Sequence, residues 1–289
     1  MPVIGPAKQT QPSYAAGYAK NASQSAHPNL WDGLGGAWMP GLGVTGGTLR
    51  DVSGNENHGT LTNMDAATDW VTTSKGLALD FDGGTSSNHV SLGASDKIYE
   101  NLTAATWVFW VKFNSFNYSY NQLLETYAPT NNYQLSCLVK SNGKLAFYLS
   151  GVGGVSNYDG TGLHTLASEK WYQLAYVYEG SKKQDGYVDA RFDGRASNIK
   201  PSLISTTNEV FVSRSIYGGG RYIDGQYGSV FQYNRALSPQ EIKQLYVDPL
   251  APFRQRRSIP FGITAAPSFN NWYARPGRTN RIVGSGVHV

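Results

Sequence analysis

Short runs of apolar and aromatic residues, separated by Gly, Asn, Asp and Ser, recur through most of the chain. They occupy residues 77–82, 89–92, 105–113, 122–127, 133–140, 144–150, 171–178, 187–192, 209–213 and 227–233. Each is rich in β-branched or aromatic side chains and bounded by turn formers, which predicts a strand. In 171–178, Trp171, Gln173, Ala175 and Val177 fall on one face, and Tyr172, Leu174, Tyr176 and Tyr178 on the other. The run 106–113 alternates imperfectly, as expected where both faces of a strand are partly covered. Asn142 and Gly143 tolerate positive φ, so 133–150 reads as an antiparallel hairpin. Strands this short and this close together build a sandwich or a barrel.

One segment has a helical signature. Ser238, Pro239 and Glu241 fit a capping box, with Ser238 as the cap and Pro239 at the first helical position. Ile242, Leu245 and Tyr246 then share a face, and Asp248 and Pro249 end the helix after about two turns.

Composition agrees with a β-rich chain. The 289 residues include 33 Gly and 19 Tyr and are 40% hydrophobic, which excludes a disordered chain, a coiled coil and a helical bundle. Cys137 is the only cysteine, so neither an intramolecular disulfide nor a Cys-type zinc site is expected. The N-terminal residues lack the apolar region of a secretory signal, and no apolar stretch approaches the roughly 18 residues of a membrane span. The expectation is a protein made and folded in a cytoplasm, with no membrane partner.

Charge divides the chain into three parts. The net charge is +4, yet residues 31–250 carry sixteen bases against twenty acids, and no acid lies outside them. The expected organisation is an extended N-terminal arm at 1–30, a folded domain at 31–250 and a basic C-terminal arm at 251–289. The C-terminal arm mixes four prolines with Arg254, Arg256, Arg257, Arg275, Phe261 and Trp272, a pattern suited to docking on an acidic protein surface. Its arginines are spread out, so nucleic acid is not an expected partner.

Four segments in order carry a resemblance. They are GLGGAW at 33–38 with DVSGNENHGTLTN at 51–63; LDFDG at 79–83 with HVSLG at 89–93; WYQLAYVY at 171–178 with RFDG at 191–194; and GSVFQYNRALS at 228–238 with the helix after it. Together they resemble the laminin-G-like, concanavalin A-like lectin/glucanase superfamily. The resemblance implies an all-β jelly-roll sandwich of two antiparallel sheets over roughly 31–248, with one short C-terminal helix. It also raises a Ca²⁺ site, for which Asp51 and Asn55 would supply oxygen ligands. However, relatives often have an Asp-Glu pair where this chain has Gly228 and Ser229, and Asp51 and Asn55 equally suit a self-stabilised turn. No cofactor is required on this reading.

Candidate chemistry is sparse. A glucanase needs paired carboxylates, and the nearest case is Asp80 with Asp82, in a motif that the resemblance marks as structural. The five histidines stand alone, and the Gly-rich stretches at 151–154 and 218–220 lack the flanks of a phosphate loop. Aromatic and polar residues mix in FNSFNYSYN at 113–121 and YGGGRYID at 217–224, so Phe116, Tyr118, Tyr120, Tyr217, Arg221 and Tyr222 are the candidate ligand-contacting side chains. The leading expectation is a non-enzymatic virion component, such as a phage capsid-decorating protein, held by its arms to other virion proteins or copies of itself. The alternative is a carbohydrate-binding adhesion module that takes surface glycans, with a glycoside hydrolase behind it.

Overall fold

The computed structural model describes residues 17–84, 87–94, 98, 102–128, 132–151, 154–159, 162–196, 199, 209–215 and 221–256. The strands among them are β1 (Leu34–Trp38), β2 (Thr48–Leu49), β3 (Gly59–Thr62), β4 (Trp70–Thr73), β5 (Gly76–Asp82) and β6 (His89–Ala94). Next come β7 (Ala104–Ser115), β8 (Tyr120–Ala128), β9 (Asn132–Lys140), β10 (Leu145–Gly151) and β11 (Gly154–Asp159). The last are β12 (Trp171–Glu179), β13 (Lys183–Val188), β14 (Arg191–Arg195), β15 (Glu209–Val212) and β16 (Asp224–Tyr233), followed by the helix α1 (Pro239–Val247).

These strands form two antiparallel sheets. The first runs β14-β13-β12-β7-β16-β5-β4, and the second β11-β10-β9-β8-β15-β6-β3-β2. Strand β16 is shared lengthwise: its first half pairs with β5 through Asp224–Tyr227, and β1 pairs with its second half at Val230–Tyr233. The architecture is the jelly-roll sandwich that the resemblance implies.

The expected strands are present, with one exception. Residues 187–192 are not a strand but a hairpin, β13 turning into β14 at Asp189 and Ala190, both of which take positive φ. The hairpin at Asn142 and Gly143 forms as expected, with Gly143 at φ +73° and its N–H donating to the Lys140 carbonyl. The helix has its full capping box: the Glu241 N–H donates to Ser238 Oγ at 3.3 Å, and the Ser238 N–H to Glu241 Oε2 at 2.9 Å.

The main core lies between the sheets. Trp107, Phe109, Val111, Leu174, Tyr176 and Tyr227 of the first sheet meet Leu135, Cys137, Val139, Leu145 and Phe147 of the second. Three buried polar side chains cross this core to the opposite sheet: Tyr176 Oη donates to the Leu138 carbonyl, Tyr227 Oη to Leu123 and Gln184 Nε2 to Phe147. Each satisfies a group whose burial without a partner would cost about 1–3 kcal/mol.

A second apolar cluster covers the outer face of the first sheet. There Val108, Ala175, Val177 and Phe231 pack under Ile242 and Leu245 of α1 and under Leu30, Leu34 and Phe253. The outer face of the second sheet has a different composition. Because Leu135, Cys137 and Val139 point into the core, alternation turns Ser136, Leu138 and Lys140 outward. Cross-strand pairing places Tyr120, Gln122, Glu125, Tyr148 and Phe211 beside them. No helix among the described residues is long and apolar enough to cross a membrane.

Candidate functional site

The outer face of the second sheet gathers aromatic and charged side chains near one rim. Tyr120 opens β8 directly opposite Lys140. The Arg221 guanidinium lies 4.6 Å from the Tyr120 ring centroid and Lys140 Nζ 5.9 Å from it, while the Tyr148 ring stands edge-on at 6.4 Å. Tyr148 Oη and Lys140 Nζ both donate to Asp159 Oδ1, at 2.5 and 3.0 Å. Burial works against ionisation of Asp159, but these two hydrogen bonds outweigh it and hold the carboxyl below its usual range.

Beneath these groups runs a buried polar row. Gln122 Nε2 donates to Ser136 Oγ at 2.8 Å, and Glu125 lies opposite Ser136 on β9 and Phe211 on β15. Glu125 is fully buried, and neither of its oxygens has a well-formed hydrogen bond among the described residues. Desolvation pushes its carboxyl up to about 7, although Ser215 and Arg221 are near enough to pull the other way. Farther along the face, Arg214 Nη1 sits 3.2 Å from His89 Nε2 and its guanidinium lies over the Phe211 ring. Burial, with Arg214 adding to it, lowers the His89 pKa.

The sequence-predicted loop residues converge here in part. Tyr118 Oη donates to the Gly83 carbonyl, which ties the β7–β8 loop to the end of β5. Tyr222 lies flat on Gly84, where a Cβ would come within 2.3 Å of its ring. The Arg221 guanidinium lies over the Tyr120 ring. Phe116, in contrast, turns inward: its ring is 4.9 Å from Phe113 and packs on the inter-sheet core, so it is not a ligand-facing aromatic. Tyr217 lies outside the described residues. Sequence reasoning missed Lys140, Tyr148, Asp159 and Glu125. For Glu125 a signal existed, a lone acid within the otherwise uncharged run 122–127.

Asp51 and Asn55 do not fit a calcium site. Asp51 Oδ1 accepts from the Ala37 and Ser53 N–H groups, and Oδ2 from Ser53 Oγ and the Asn57 N–H, all within 2.8–3.0 Å. Asn55 turns its amide nitrogen to the Leu34 and Gly35 carbonyls. The lone pairs a cation would need already organise the turn. Among the described residues, no three His, Cys, Asp or Glu side chains converge as a metal site. Asp80 and Asp82 sit at the end of β5. Burial raises the Asp80 pKa against the pull of a Gln226 hydrogen bond, and Asp82 Oδ1 accepts from the Gly84 N–H.

The described parts of the two arms pack on their own chain. Tyr18 and Ser25 bridge to Arg254 and Gln255, and Ser25 Oγ and Trp31 Nε1 both donate to the Pro252 carbonyl. Arg254 forms two hydrogen bonds to Asp248, and the Arg256 N–H donates to the Gln24 carbonyl. Arg257, Phe261, Trp272 and Arg275 lie outside the described residues.

A family model described as the concanavalin A-like lectin/glucanases superfamily matches residues 82–243, more than half of the chain. The chain belongs to this superfamily. No curated protein sequence matches it. Among solved structures it is similar to the Trypanosoma rangeli sialidase, with a TM-score of 0.54 and 15% identity over 75% of this chain and 34% of the sialidase. It thus spans about a third of that enzyme's length. It is also similar to domain 4 of AbnA, an extracellular arabinanase from Geobacillus stearothermophilus solved with arabinotriose (TM-score 0.56, 13% identity, 74% of this chain and 98% of that one). A third is the binding domain of Paraclostridial Mosquitocidal Protein 1 (TM-score 0.58, 15% identity, 75% and 52%).

These findings overturn the expectation of a phage or virion structural component. The similar structures come from glycan-processing enzymes and a toxin's binding domain. The described start of the C-terminal arm, on which the virion reading leaned, packs on its own fold: Arg254 pairs with Asp248, and the neighbouring Phe253 meets the aromatic rings of Trp31 and Phe231.

Proposed function

We propose that this chain is a non-enzymatic carbohydrate-binding module that takes a glycan on the outer face of its second sheet. The observation that carries this reading is the Tyr120 ring, flanked by the Arg221 guanidinium and by the Tyr148–Asp159–Lys140 hydrogen-bond network. Aromatic bodies receive the C–H face of a sugar, and fixed donors and acceptors around them read its hydroxyls. Domain 4 of the arabinanase was solved with arabinotriose, and other structures of the sialidase hold sialic acid, which supports a glycan as the ligand class.

The buried row beneath the face supports binding over turnover. A glycosidase needs a second carboxylate at about 5–9.5 Å from the first. The residues paired directly with Glu125, Ser136 and Phe211, carry no carboxylate. Binding on this reading requires no resident cofactor, and surface glycans are the partner. A glycan array probed with the full chain, with arabinotriose and sialic acid included, tests the proposal. Retention of at least one glycan, abolished in Tyr120→Ala, is the expected result. A folded sample that retains none would remove the reading.

A further inference from the structure

A cleft of about 510 Å³ opens between α1 and the β13–β14 turn, and its walls gather charge of one sign. Three cations reach it from three elements: Lys170 from the segment before β12, Arg191 from the start of β14 and Lys243 from α1. Hydrogen bonds to one residue set this convergence. The Asp189 N–H donates to the Gln173 carbonyl, which lays the β13–β14 turn beside the start of β12. Gln173 Nε2 donates to the Ile242 carbonyl at 3.3 Å, which fixes the helix one residue before Lys243.

All three cations are exposed, and none forms an ion pair among the described residues. Lys170 Nζ sits 5.0 Å from the Tyr172 ring centroid. The carboxylates around them are engaged with other groups. Glu169 pairs with Lys112 at 2.9 Å, Glu241 with Arg235 at 2.7 Å, and the buried Asp193 with His164 at 2.9 Å. Asp189 is the acid on the cleft wall, and its Oδ1 already accepts the Gln173 N–H at 2.9 Å. Three cations against one carboxylate leave a surplus of two positive charges, in a domain whose residues 31–250 carry more acids than bases. Like charges gathered in a cleft repel one another and raise the local concentration of anions.

We propose that this cleft binds an organic phosphomonoester. At neutral pH the phosphoryl group carries close to two negative charges and three acceptor oxygens, which matches both the surplus charge and the number of cations. Arg191 offers a planar fork for two of those oxygens, and the lysines act as point charges. A carboxylate or a sulfate ester brings a single charge and leaves half of the surplus unanswered. The organic part has its own wall in Tyr246, whose ring stacks on Trp110 with centroids 5.6 Å apart. The cleft volume lies within the roughly 300–1,000 Å³ of small-molecule sites. The inference goes beyond the glycan reading and does not rest on it, since the cleft is built on the first sheet and Tyr120 lies on the second.

The test titrates the full chain with phenyl phosphate, phenyl sulfate and phenol at pH 8 and low salt, followed by the backbone amide resonances of Ala190, Arg191 and Lys243. Phenyl phosphate is expected to shift them saturably and to bind about tenfold more tightly than phenyl sulfate, which has the same shape and half the charge. Phenol should leave them where they were. Arg191→Ala and Lys243→Ala should each weaken phenyl phosphate by about tenfold, the loss of one charge-assisted hydrogen bond, with the thermal midpoint unchanged. Lys182→Ala, which removes an exposed lysine outside the cleft, should leave the affinity as it was. The proposal is overturned by any of three results: no saturable shift with phenyl phosphate, equal affinity for phosphate and sulfate, or an equal loss in Lys182→Ala and Arg191→Ala. Failure of the Tyr120 face alone would show as lost glycan binding with the phenyl phosphate shifts intact.

Discussion

Arg235 grips Glu241 through two hydrogen bonds, Nη2 to Oε1 at 2.7 Å and Nη1 to Oε2 at 3.0 Å, and the same carboxylate closes the capping box of α1 with Ser238. The pair therefore joins the end of β16 to the helix that seals the first sheet. Burial alone would raise the Glu241 pKa, but Arg235 and Ser238 together bring it down to about 2. A carboxyl with a depressed pKa stabilises the fold above its unfolded value near 4.5, and that contribution fades as pH falls towards about 2. Glu241→Gln should lower stability at neutral pH by about 1–2 kcal/mol, after discounting for solvent screening. Its thermal midpoint should converge on that of the parent as pH falls through this window.

Glu125 has the opposite sign. Its folded pKa of about 7 lies above the usual 4.5, so the folded chain holds a proton that the unfolded chain has released. Stability should fall as pH rises from about 4.5 to 7 and level off above that. Glu125→Gln keeps the shape and removes the charge. It should stabilise the fold at pH 8 by about 2–3 kcal/mol and flatten this part of the pH profile. Chemical denaturation at several pH values measures both effects.

Asp51 organises its turn through four accepted hydrogen bonds. Asp51→Ala leaves the buried N–H groups of Ala37 and Ser53 without their acceptor. A loss of about 2–4 kcal/mol follows. EDTA should leave the thermal midpoint of the parent chain where it was, and added Ca²⁺ should not raise it.

Gly225 sits at a bulge where β16 meets β7. A Cβ there would lie 2.0 Å from the Lys112 carbonyl oxygen, so Gly225→Ala must part the two central strands of the first sheet. Destabilisation of about 3 kcal/mol or more is expected in denaturant titrations.

The strands most legible in the sequence are those with a repeating two-residue pattern. In 171–178 the expected faces are the observed ones, with Ala175 and Val177 under α1 and Leu174, Tyr176 and Tyr178 in the main core. Strand β1 was not legible because GLGGAW has almost no alternation. Gly36 is there so that the Trp38 ring can lie where a Cβ would come within 2.3 Å. The turn between β13 and β14 hid because Asp189 and Ala190 take positive φ without a glycine to announce it. At the candidate site, local composition pointed to Tyr118, Tyr120, Arg221 and Tyr222. The partners that give the site its chemistry come from strand pairing between segments far apart in sequence: Tyr148 and Asp159 reach Tyr120 through β9 and Lys140. The buried polar row of Gln122, Glu125 and Ser136 on the outer side of the second sheet, in contrast to the apolar cluster on the outer side of the first, shows only once both sheets are assembled.

The central claim, a glycan held around Tyr120, meets its most direct test in calorimetric titration of the full chain with the glycan best retained on an array. Parent and Tyr120→Ala should be compared at equal thermal stability. A loss of about tenfold or more in affinity for Tyr120→Ala, on the scale of one aromatic contact, is the predicted result. Equal affinities in the two proteins would contradict the account.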